Sequence, residues 1–349
     1  MPNLSTSSEN RHQEYDKDHP SQGKLLRELI MGFRTTQIIA TAAKLDLAAR
    51  LENGPQTATQ LATATKTNEA RLYRLLRALT GLGILENNND ATFSLAPLGD
   101  LLRDGVSGSL RNVAILYGEP WLWEAYAQLP YSIENTAPAF DHAHGLGLYD
   151  FLKQNPPAAE KFNKAMTAFS DHEAEAVKKA YSFSTAKTIV DIGGGQGLFV
   201  LSLLKTHPHL SGVVFDLAPV INSIKNLKAN NRINYVSGDF FQKVYSGGDV
   251  YMLKSVLHNW DDQSCVTILQ NCHRAMQPAA RLLIIERVLP IGNEKSEAIL
   301  FDINMLVMTE GQERTEAAYK RLLETSGFIL HQIICTESAV SILECLRKI

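Results

Sequence analysis

The stretch Thr188-Ile-Val-Asp-Ile-Gly-Gly-Gly-Gln-Gly197 decides the fold of this chain. Its first five residues, 188–192, predict a short buried strand, and the glycines that follow predict a tight loop. The next residues, Leu198-Phe-Val-Leu-Ser-Leu-Leu-Lys205, have a dense apolar face and predict a helix. A strand, a glycine loop and the start of a helix in this order form a nucleotide-binding element.

The spacing of these glycines argues against a dinucleotide. Gly193 and Gly195 match the first two glycines of the G-x-G-x-x-G pattern, but Leu198 occupies the place of the third. Asp191 adds a carboxylate at the end of the strand, where it would gain nothing against a pyrophosphate. The loop therefore suits a ligand that contains a nucleoside and is not anionic at the turn. S-adenosylmethionine, a sulfonium cation that carries an adenosine, has these properties.

Strands and helices alternate after residue 188. Further strands are predicted at Val213–Asp216, Ile233–Val236, Val250–Val256 and Arg281–Glu286. Continuous apolar strands separated by helices indicate an α/β fold with a mostly parallel sheet covered on both faces. Ligands bind such sheets at the carboxyl ends of the strands. The candidate residues that follow the predicted strands are 193–197, Asp216, Asp239, His258 and Glu286.

The N-terminal part of the chain has a mainly helical pattern. Residues 22–51 predict two helices, and residues 57–79 predict two more, the first of which begins with a cap at Thr57. Residues 84–95 then predict a hairpin around an Asn-rich turn. This order of helices and hairpin is a winged-helix arrangement.

Three arginines, Arg71, Arg74 and Arg77, lie on one face of the would-be recognition helix. In a DNA-binding winged helix such residues contact phosphates. A solvated face or a subunit contact is the simpler interpretation. We favour it because the net charge is −3 and no other basic cluster supports nucleic-acid binding. The same charge gives no reason to expect an anionic membrane as a partner.

The composition is that of a globular protein with room for two domains. The chain has 349 residues, 45% hydrophobic and 20% charged. Residues 1–20 are polar, lack the apolar core of a signal peptide and predict a disordered tail. No run of about 18 apolar residues predicts a membrane span. The four cysteines have neither C-x-x-C nor zinc spacing, which indicates reduced thiols in a cytoplasmic protein.

Two aspartates at predicted strand ends are candidates for nucleoside binding. Asp216 can accept both hydroxyls of a ribose, and the alternative is a helix cap, because a helix is predicted from Leu217. Asp239 with Phe240 can bracket an adenine, the ring stacking and the carboxylate accepting a hydrogen bond. For Asp239 a cap is again the alternative.

His258 is the candidate general base, because histidine is the usual base near neutral pH and this one follows a strand end. A purely structural histidine beside Trp260 is the alternative. Glu286 ends an otherwise apolar strand, where an unpaired carboxylate would be costly, so it can hold the histidine. Glu313 can do the same, or can form a simple ion pair with Arg314.

His142 and His144 form an H-x-H pattern that binds metal when it lies in a strand. No third ligand is evident, and the glycines at 145 and 147 indicate a loop. We therefore predict no metal site.

Taken together and in order, these motifs resemble the S-adenosylmethionine-dependent O-methyltransferases. That class includes the plant caffeic acid and flavonoid enzymes, the acetylserotonin (hydroxyindole) enzymes and a bacterial small-molecule branch. The resemblance extends from about Leu25 to the C-terminus. It is carried by Val190–Gly197, Phe215-Asp216, Gly238-Asp239-Phe240, Lys254–Trp260, Glu286–Pro290 and Gly311–Thr315, and upstream by Ala143-His-Gly145 and Phe162–Met166.

The resemblance implies a Rossmann-like methyltransferase sheet with an N-terminal winged-helix-like dimerisation domain. Residues 21–105 would form that domain and an intertwined homodimer, without binding DNA. Residues 106–349 would be the methyltransferase domain, with an acceptor-lining helical part at 106–181 and the Rossmann-like core at 182–349. The implied activity is methylation of a small aromatic hydroxyl compound of secondary metabolism.

The resemblance also implies the roles of individual residues. His258 would be the catalytic base, flanked by Glu286 and Glu313, and would take the proton of a phenol. The oxygen then attacks the methyl carbon on sulfur. A phenol pKa of about 10 lies only a few units above that of histidine, and no metal is required. The residues expected to bind the cofactor are Asp191, Gly193, Gly195, Asp216, Asp239, Phe240, Lys254 and Ser170.

Two positions depart from the family pattern. Asn259 follows the histidine where many members have aspartate, a common variant that leaves the base intact. Glu310 replaces the first glycine of the usual Gly-Gly pair before Gln312. That change alters the loop near the acceptor or adds a charge to it.

The acceptor site is expected between residues 110–175 and 301–320, where aromatic and methionine side chains indicate a flat apolar ring system. The candidate lining residues are Phe162, Met166, Trp121, Asn304 and Met308. Two other function classes stay open. One is a family member that binds the cofactor for a pericyclic, decarboxylation or hydroxylation step, and the other is a DNA-binding regulator that uses residues 57–95.

Overall fold

The computed structural model describes residues 21–88, 91–224, 231–292 and 294–348. They form two compact units, one ending at Gly118 and the other beginning at Glu119. The predicted tail at residues 1–20 lies outside the described residues, as does part of the Asn-rich turn. None of the helices in the described ranges is long and apolar enough to span a membrane.

The first unit is helical with one small sheet. Its helices are α1 (Gln22–Ile30), α2 (Gly32–Lys44), α3 (Leu47–Arg50), α4 (Ala58–Thr65), α5 (Glu69–Gly81), α6 (Pro97–Asp100) and α7 (Arg111–Tyr117). Its strands are β1 (Gln56–Thr57), β2 (Leu85–Asn87) and β3 (Thr92–Leu95). Both β1 and β2 pair with β3 antiparallel. The predicted helices and hairpin are present, and β1 is an addition that the sequence analysis missed.

Local sequence explains the start and the burial of these helices. Thr57 caps α4 as predicted: its hydroxyl accepts from Gln60 N, and the Gln60 side chain accepts from Thr57 N. Leu72, Leu76 and Leu79 of α5 are buried, at the spacing of one helix face. The predicted arginine face of α5 is exposed, which agrees with a solvated face or a subunit contact.

Helix α1 leaves an apolar surface exposed. We use the name α1 apolar face for Leu25, Leu26, Leu29 and Ile30, whose exposed fractions run from 49% to 69%. Apolar residues at this helical spacing normally pack against another element. The α1 apolar face is therefore available for a partner.

The second unit begins with a helical segment. Its helices are α8 (Pro120–Ala127), α9 (Leu129–Glu134), α10 (Ala139–His144), α11 (Leu148–Gln154) and the long α12 (Pro156–Ala180). The predicted break at Pro156 and Pro157 is the start of α12, because proline suits the first turn of a helix. The compact units divide at Gly118, since α7 packs against α2 of the first unit. The domain predicted at residues 21–105 lies within the first unit.

A seven-stranded sheet forms the rest of the second unit. Its strands are β4 (Thr188–Ile192), β5 (Ser211–Asp216), β6 (Ile233–Ser237), β7 (Val250–Lys254), β8 (Arg281–Glu286), β11 (Phe328–Cys335) and β12 (Ser341–Arg347). A separate pair consists of β9 (Val288–Leu289) and β10 (Arg314–Thr315). The helices are α13 (Leu198–Thr206), α14 (Ala218–Ser223), α15 (Asp262–Ala275), α16 (Glu297–Met308) and α17 (Glu316–Thr325).

The strand order is β11-β12-β8-β7-β4-β5-β6. Strands β8, β7, β4, β5 and β6 are parallel, as predicted, whereas β12 and β11 are antiparallel additions. The chain leaves β4 toward β5 on one side and returns to β7 on the other. Such a reversal opens a crevice at the carboxyl end of β4, the place where open α/β sheets bind ligands.

Alternate residues of the strands enter two apolar cores. Val190 and Leu253 face one side, where α15 and α17 contribute Ile268 and Leu323. Ile189 faces the other side, where α12 and α13 cover the sheet. Both faces are covered, so polar groups at the strand ends sit on a rigid base.

Candidate active site

The glycine loop after β4 folds back over the strand end. Gly193 and Gly195 have φ angles of +71° and +56°, a backbone region that favours glycine. The carboxylate of Asp191 lies against Gly194, because a Cβ placed there would be 2.6 Å from Asp191 Oδ2. The loop thus needs glycine both for its backbone angles and for space.

Asp191 is almost fully buried at this loop. Burial raises the pKa of Asp191 to about 7, the charge of Lys254 opposes that rise, and Asp216 adds to it. A carboxyl group in this position gains from a cation, which would favour its ionised form.

Asp216 holds the glycine loop in place. Its Oδ2 accepts from Gly195 N at 2.8 Å and its Oδ1 accepts from Leu217 N at 2.7 Å. Helix α14 begins at Ala218 without a side-chain cap. The capping alternative for Asp216 is therefore not what the structure contains.

Asp239 and Phe240 lie on the other side of the loop. Asp239 Oδ1 accepts from Phe241 N at 2.8 Å, a local turn of the kind considered as the alternative to ligand binding. The Phe240 ring borders Gly193, from which a Cβ would lie 3.7 Å away. The Phe240 ring is thus placed beside the loop, and the binding of adenine by Asp239 and Phe240 stays a prediction.

Lys254, at the end of β7, is tied to a buried carboxylate that the sequence analysis missed. Its Nζ lies 2.7 Å from Glu173 Oε2, and Arg287 Nη2 lies 3.8 Å from Glu173 Oε1. Glu173 belongs to α12, three residues after Ser170 and seven after Met166, so the three share a helix face. The signal in the sequence was an acidic residue on an otherwise apolar face.

His258 lies in a 3₁₀ turn, Leu257–Asn259, between β7 and α15. Glu286, at the end of β8, holds the N–H side of this turn. Its Oε1 accepts from Val256 N and Leu257 N, both at 2.9 Å, and from His258 N at 3.4 Å. The cost of burying this carboxylate is thereby offset by backbone donors.

The imidazole of His258 is oriented by two carboxylates. Nδ1 lies 2.8 Å from Glu313 Oε1 and 3.5 Å from Glu286 Oε2. Burial lowers the pKa of His258, but the charge of Glu286 and the hydrogen bond and charge of Glu313 raise it by more. A proton on Nδ1 donated to Glu313 leaves Nε2 as the acceptor nitrogen.

The segment that carries Glu313 also packs against the turn that contains His258. Gln312 N donates to His258 O at 2.9 Å. A Cβ at Gly311 would lie 1.9 Å from the same carbonyl oxygen, so only glycine fits there. Arg314 does not pair with Glu313, the alternative considered above. It bonds instead to Asp262 and to backbone carbonyls of the turn, because the two side chains point in different directions.

The two departures from the family pattern have different surroundings. Asn259 Nδ2 donates to Ser255 O at 3.1 Å, and this bond stabilises the backbone between the strand end and the turn. An aspartate could not form the bond, because a carboxylate has no N–H to donate. Glu310 is exposed and lies near Asp141, whose pKa is raised by burial and by the charge of Glu310. The extra charge therefore sits on the rim and not beside His258.

The candidate acceptor residues come from three helices. Phe162, Met166 and Ser170 lie on the face of α12 that includes Glu173. Asn304 and Met308 belong to α16, where Phe301 lies parallel to the His258 ring with centroids 6.1 Å apart. Tyr126 of α8 donates to Asn304 Oδ1 at 3.0 Å.

Trp121 occupies a different environment. It is buried in an aromatic cluster with Phe140 and Phe151, at centroid distances of 6.1 Å and 5.6 Å. Its place in the acceptor site remains a prediction.

The residues considered for metal binding are engaged otherwise. His142 stacks on Tyr131, and His144 Nε2 lies 2.8 Å from Trp121 O, both within helix α10 rather than the expected loop. Among the described residues, the one group with ligand-like spacing is His258, Glu286 and Glu313, with ligand atoms within 4.8 Å of one another. Hydrogen bonds already join these three, the pattern of an oriented base.

Comparison with known families identifies this arrangement. A model of the O-methyltransferase domain matches residues 126–329, and a model of the O-methyltransferase dimerisation domain matches residues 27–104.

The chain belongs to the O-methyltransferase family.

Named relatives support the membership along most of the chain. The sequence is 36% identical to the phenazine O-methyltransferase PhzM of Lysobacter antibioticus, over 92% of this chain and 95% of that protein. It is 37% identical to a 3-amino-4-hydroxybenzoate 4-O-methyltransferase of Streptomyces cremeus, over 89% of this chain and 86% of that protein. The predicted family and enzyme class are thereby confirmed.

A solved structure supports the fold. The methyltransferase CalO1 of calicheamicin biosynthesis, crystallised with SAH bound, superposes with a TM-score of 0.84 at 31% identity, over 95% of this chain and all of that one. The prediction of a methyltransferase sheet that follows a dimerisation domain in the sequence is confirmed for this O-methyltransferase.

The buried ion pairs of Glu173 make a stability prediction. Glu173→Gln leaves Lys254 and Arg287 without their carboxylate, and breaking a buried pair costs about 3–5 kcal/mol. Urea denaturation should show an unfolding free energy lower by about that amount. The matched control is Glu337→Gln, which breaks an exposed pair with Lys179 of the same helix and should change nothing measurable. Equal effects of the two substitutions would contradict the assignment.

Proposed function

We propose that this protein transfers the methyl group of S-adenosylmethionine to a hydroxyl group of a small aromatic acceptor, with His258 as general base. The observation that carries the proposal is the His258 imidazole, whose Nδ1 lies 2.8 Å from Glu313. Its turn follows Val256, the side chain of which borders Gly193 of the glycine loop. The family membership and the named activities of the relatives support the same reaction.

The residues around the glycine loop suit a cationic nucleoside. The loop leads into α13, which begins without a side-chain cap, and Asp216 keeps the loop in place through Gly195 N. Asp191 offers a buried carboxyl group whose pKa of about 7 allows it to ionise beside a cation. The residues proposed to bind the cofactor are Asp191, Gly193, Gly195, Asp216, Asp239, Phe240, Lys254 and Ser170.

Lys254 is already paired with a carboxylate of the protein. Its ammonium group is held by Glu173, and its charge opposes the raised pKa of Asp191. We assign it the task of placing a fixed positive charge beside Asp191, where it favours the ionised carboxylate.

The proposed chemistry divides between cofactor and protein. S-adenosylmethionine supplies an electrophilic methyl group on sulfur. His258 Nε2 accepts the acceptor's hydroxyl proton, and the charges of Glu286 and Glu313 stabilise the imidazolium that forms. The acceptor oxygen becomes the nucleophile, and alignment of oxygen, methyl carbon and sulfur lowers the remaining barrier.

The acceptor class follows from the helices around His258. Phe162 and Met166 of α12 and Phe301, Asn304 and Met308 of α16 offer flat apolar surface with one amide. The relatives named for a phenazine and for an aminohydroxybenzoate act on aromatic rings. An aromatic hydroxyl compound is therefore the substrate class we propose.

We also propose that the protein is a homodimer through its N-terminal unit. The match to the dimerisation model and the α1 apolar face support this. The winged-helix arrangement is assigned to assembly rather than to nucleic acid, because its exposed arginines stand on a chain with a net charge of −3.

A transfer assay tests the function directly. Methyl-labelled S-adenosylmethionine is incubated with a panel of phenols, aromatic hydroxy acids and aromatic amines, and labelled product is counted. Transfer to a hydroxyl supports the proposal, and transfer only to amines would move it to N-methylation. Cofactor binding without transfer to any member would favour the non-methylating alternative.

Substitution of the base gives a quantitative prediction. His258→Ala should lower kcat by about 10²–10⁴-fold, because the proton of the hydroxyl loses its acceptor. Binding of S-adenosylhomocysteine, measured by calorimetry, should stay unchanged. His273→Ala is the control, since His273 lies on α15 against Arg347, apart from the site. Loss of cofactor binding in the His258 variant would show the histidine to be structural.

Cofactor affinity should depend on pH through Asp191. A cation favours the ionised carboxylate, so binding should strengthen as pH rises from about 6 to 8, through the pKa of about 7. The change should be up to about tenfold per pH unit below 7 and should level off above it. Asp191→Asn should bind weakly with a flat profile. A pH-dependent profile that survives in this variant would exclude Asp191 as its source.

The dimer proposal predicts a mass twice that of one chain in light scattering after size exclusion. Leu26→Glu combined with Leu29→Glu should give monomers, because it places charges on the α1 apolar face. Ile291→Glu is the control, an apolar side chain that is 80% exposed and lies outside α1. A wild-type monomer would refute the proposal.

A further inference from the structure

We propose that Arg314 is a positioning residue that fixes the catalytic turn of His258. The inference rests on the proposed role of His258 as general base. Arg314 is adjacent to Glu313 in sequence, yet it acts on a different part of the turn.

The contacts of Arg314 converge on the two ends of the turn. Its Nη1 donates to Leu257 O at 3.0 Å and its Nη2 donates to Trp260 O at 2.7 Å. Its Nε donates to Asp262 Oδ1 at 3.0 Å, at the start of α15. The Arg314 side chain is 1% exposed, so its bonds to the two carbonyls are shielded from water, whereas Asp262 is 63% exposed.

This set of bonds requires a guanidinium group. The three guanidinium nitrogens lie in one rigid plane and donate hydrogen bonds to two carbonyl oxygens and one carboxylate. The single ammonium group of lysine cannot reproduce this geometry. Asp262 balances the buried charge, with its Oδ1 2.9 Å from Nη2. Arg314 is therefore held in one position and holds the turn in one position.

Glu286 complements this arrangement from the other side. Its carboxylate takes the N–H groups of Val256 and Leu257, whereas Arg314 takes the carbonyls of Leu257 and Trp260. The negative carboxylate of Glu286 thus satisfies N–H groups of the turn, and the positive guanidinium of Arg314 satisfies its carbonyl groups. The pairing of β9 with β10 aligns Arg314 with Val288, two residues after Glu286, and so keeps both charges in register.

The consequence concerns the base. Without Arg314 the turn loses the guanidinium bonds to Leu257 O and Trp260 O, although Gln312 N still donates to His258 O. The 2.8 Å bond from His258 Nδ1 to Glu313 is then free to lengthen. Displacement of a reacting group by about 1 Å can cost a factor of about 10² in rate. The charges with the largest effect on the pKa of His258 are those of Glu286, Glu313 and Arg287. Loss of the positive charge of Arg314 would by itself raise that pKa, so a fall in it on loss of Arg314 comes through geometry.

The test uses Arg314→Ala in the full-length enzyme. We expect kcat to fall by about 10–100-fold, with S-adenosylhomocysteine affinity within about twofold of wild type. The rise of kcat with pH should move to lower pH, since a weaker bond to Glu313 lowers the pKa of His258. Guanidinium ion at tens of millimolar should restore part of the lost activity, because it can fill the vacated place.

The matched control is Arg347→Ala. Arg347 also donates to a backbone carbonyl, Met276 O at 2.8 Å, but stands at the far end of the sheet. It should change neither the pH profile nor kcat and should show no rescue. Equal behaviour of the two variants in kcat and pH profile would overturn the proposal.

Two further measurements keep the outcome decisive. If Arg314→Ala does not fold, Arg314→Lys should fold and still show the lowered kcat and shifted pH profile. An unchanged pH profile in the Arg314→Lys variant would count against positioning.

If the wild-type enzyme transfers methyl to no acceptor, the proposed function fails but the positioning role of Arg314 stays testable. The pKa of the His258 imidazole, measured by NMR, should still fall in the Arg314 variant and not in the Arg347 variant. An unchanged pKa in the Arg314 variant would refute the positioning role.

Discussion

The carboxylate of Glu286 is the group on which the active-site geometry depends. It follows four apolar, buried residues of β8, Leu282 to Ile285, so it can be buried only if donors surround it. The donors are backbone N–H groups at 256–258, directly after Ser255, which adopts a left-handed backbone with φ of +53°. The Glu286 carboxylate and the strained turn therefore stabilise each other. As a result, His258 projects from a backbone that has little freedom to move.

Buried charges are concentrated along the carboxyl ends of the strands, while the two apolar cores lie on the faces of the sheet. The buried pair of Glu173 with Lys254, and the pair of the buried Arg314 with the exposed Asp262, join elements that are far apart in sequence. Such pairs add little net stability compared with apolar packing, but they select one arrangement over others of similar energy. The cores supply most of the free energy of folding, and the ion pairs determine which side chains meet at the cleft.

Much of the site could be read from the sequence because its residues follow strands of a parallel sheet, and such positions converge at one edge. Glu173 could not, since only tertiary packing brings the middle of α12 to Lys254, 81 residues later. Arg314 shows a related limit. Proximity in sequence suggested Glu313 as its partner, whereas the fold supplies Asp262, 52 residues earlier. Strands β11 and β12 were missed because nothing in the glycine loop or its neighbours requires them.

The contrast between Gly311 and Glu310 has an evolutionary consequence. Position 311 is fixed by contact with the carbonyl oxygen of His258, so drift there would dislocate the base and be removed by selection. Position 310 faces outward and can accept almost any side chain without touching the reaction. One peptide bond thus separates a position at which only glycine fits from one that tolerates other side chains, so a random substitution at 311 damages the base whereas one at 310 leaves it in place.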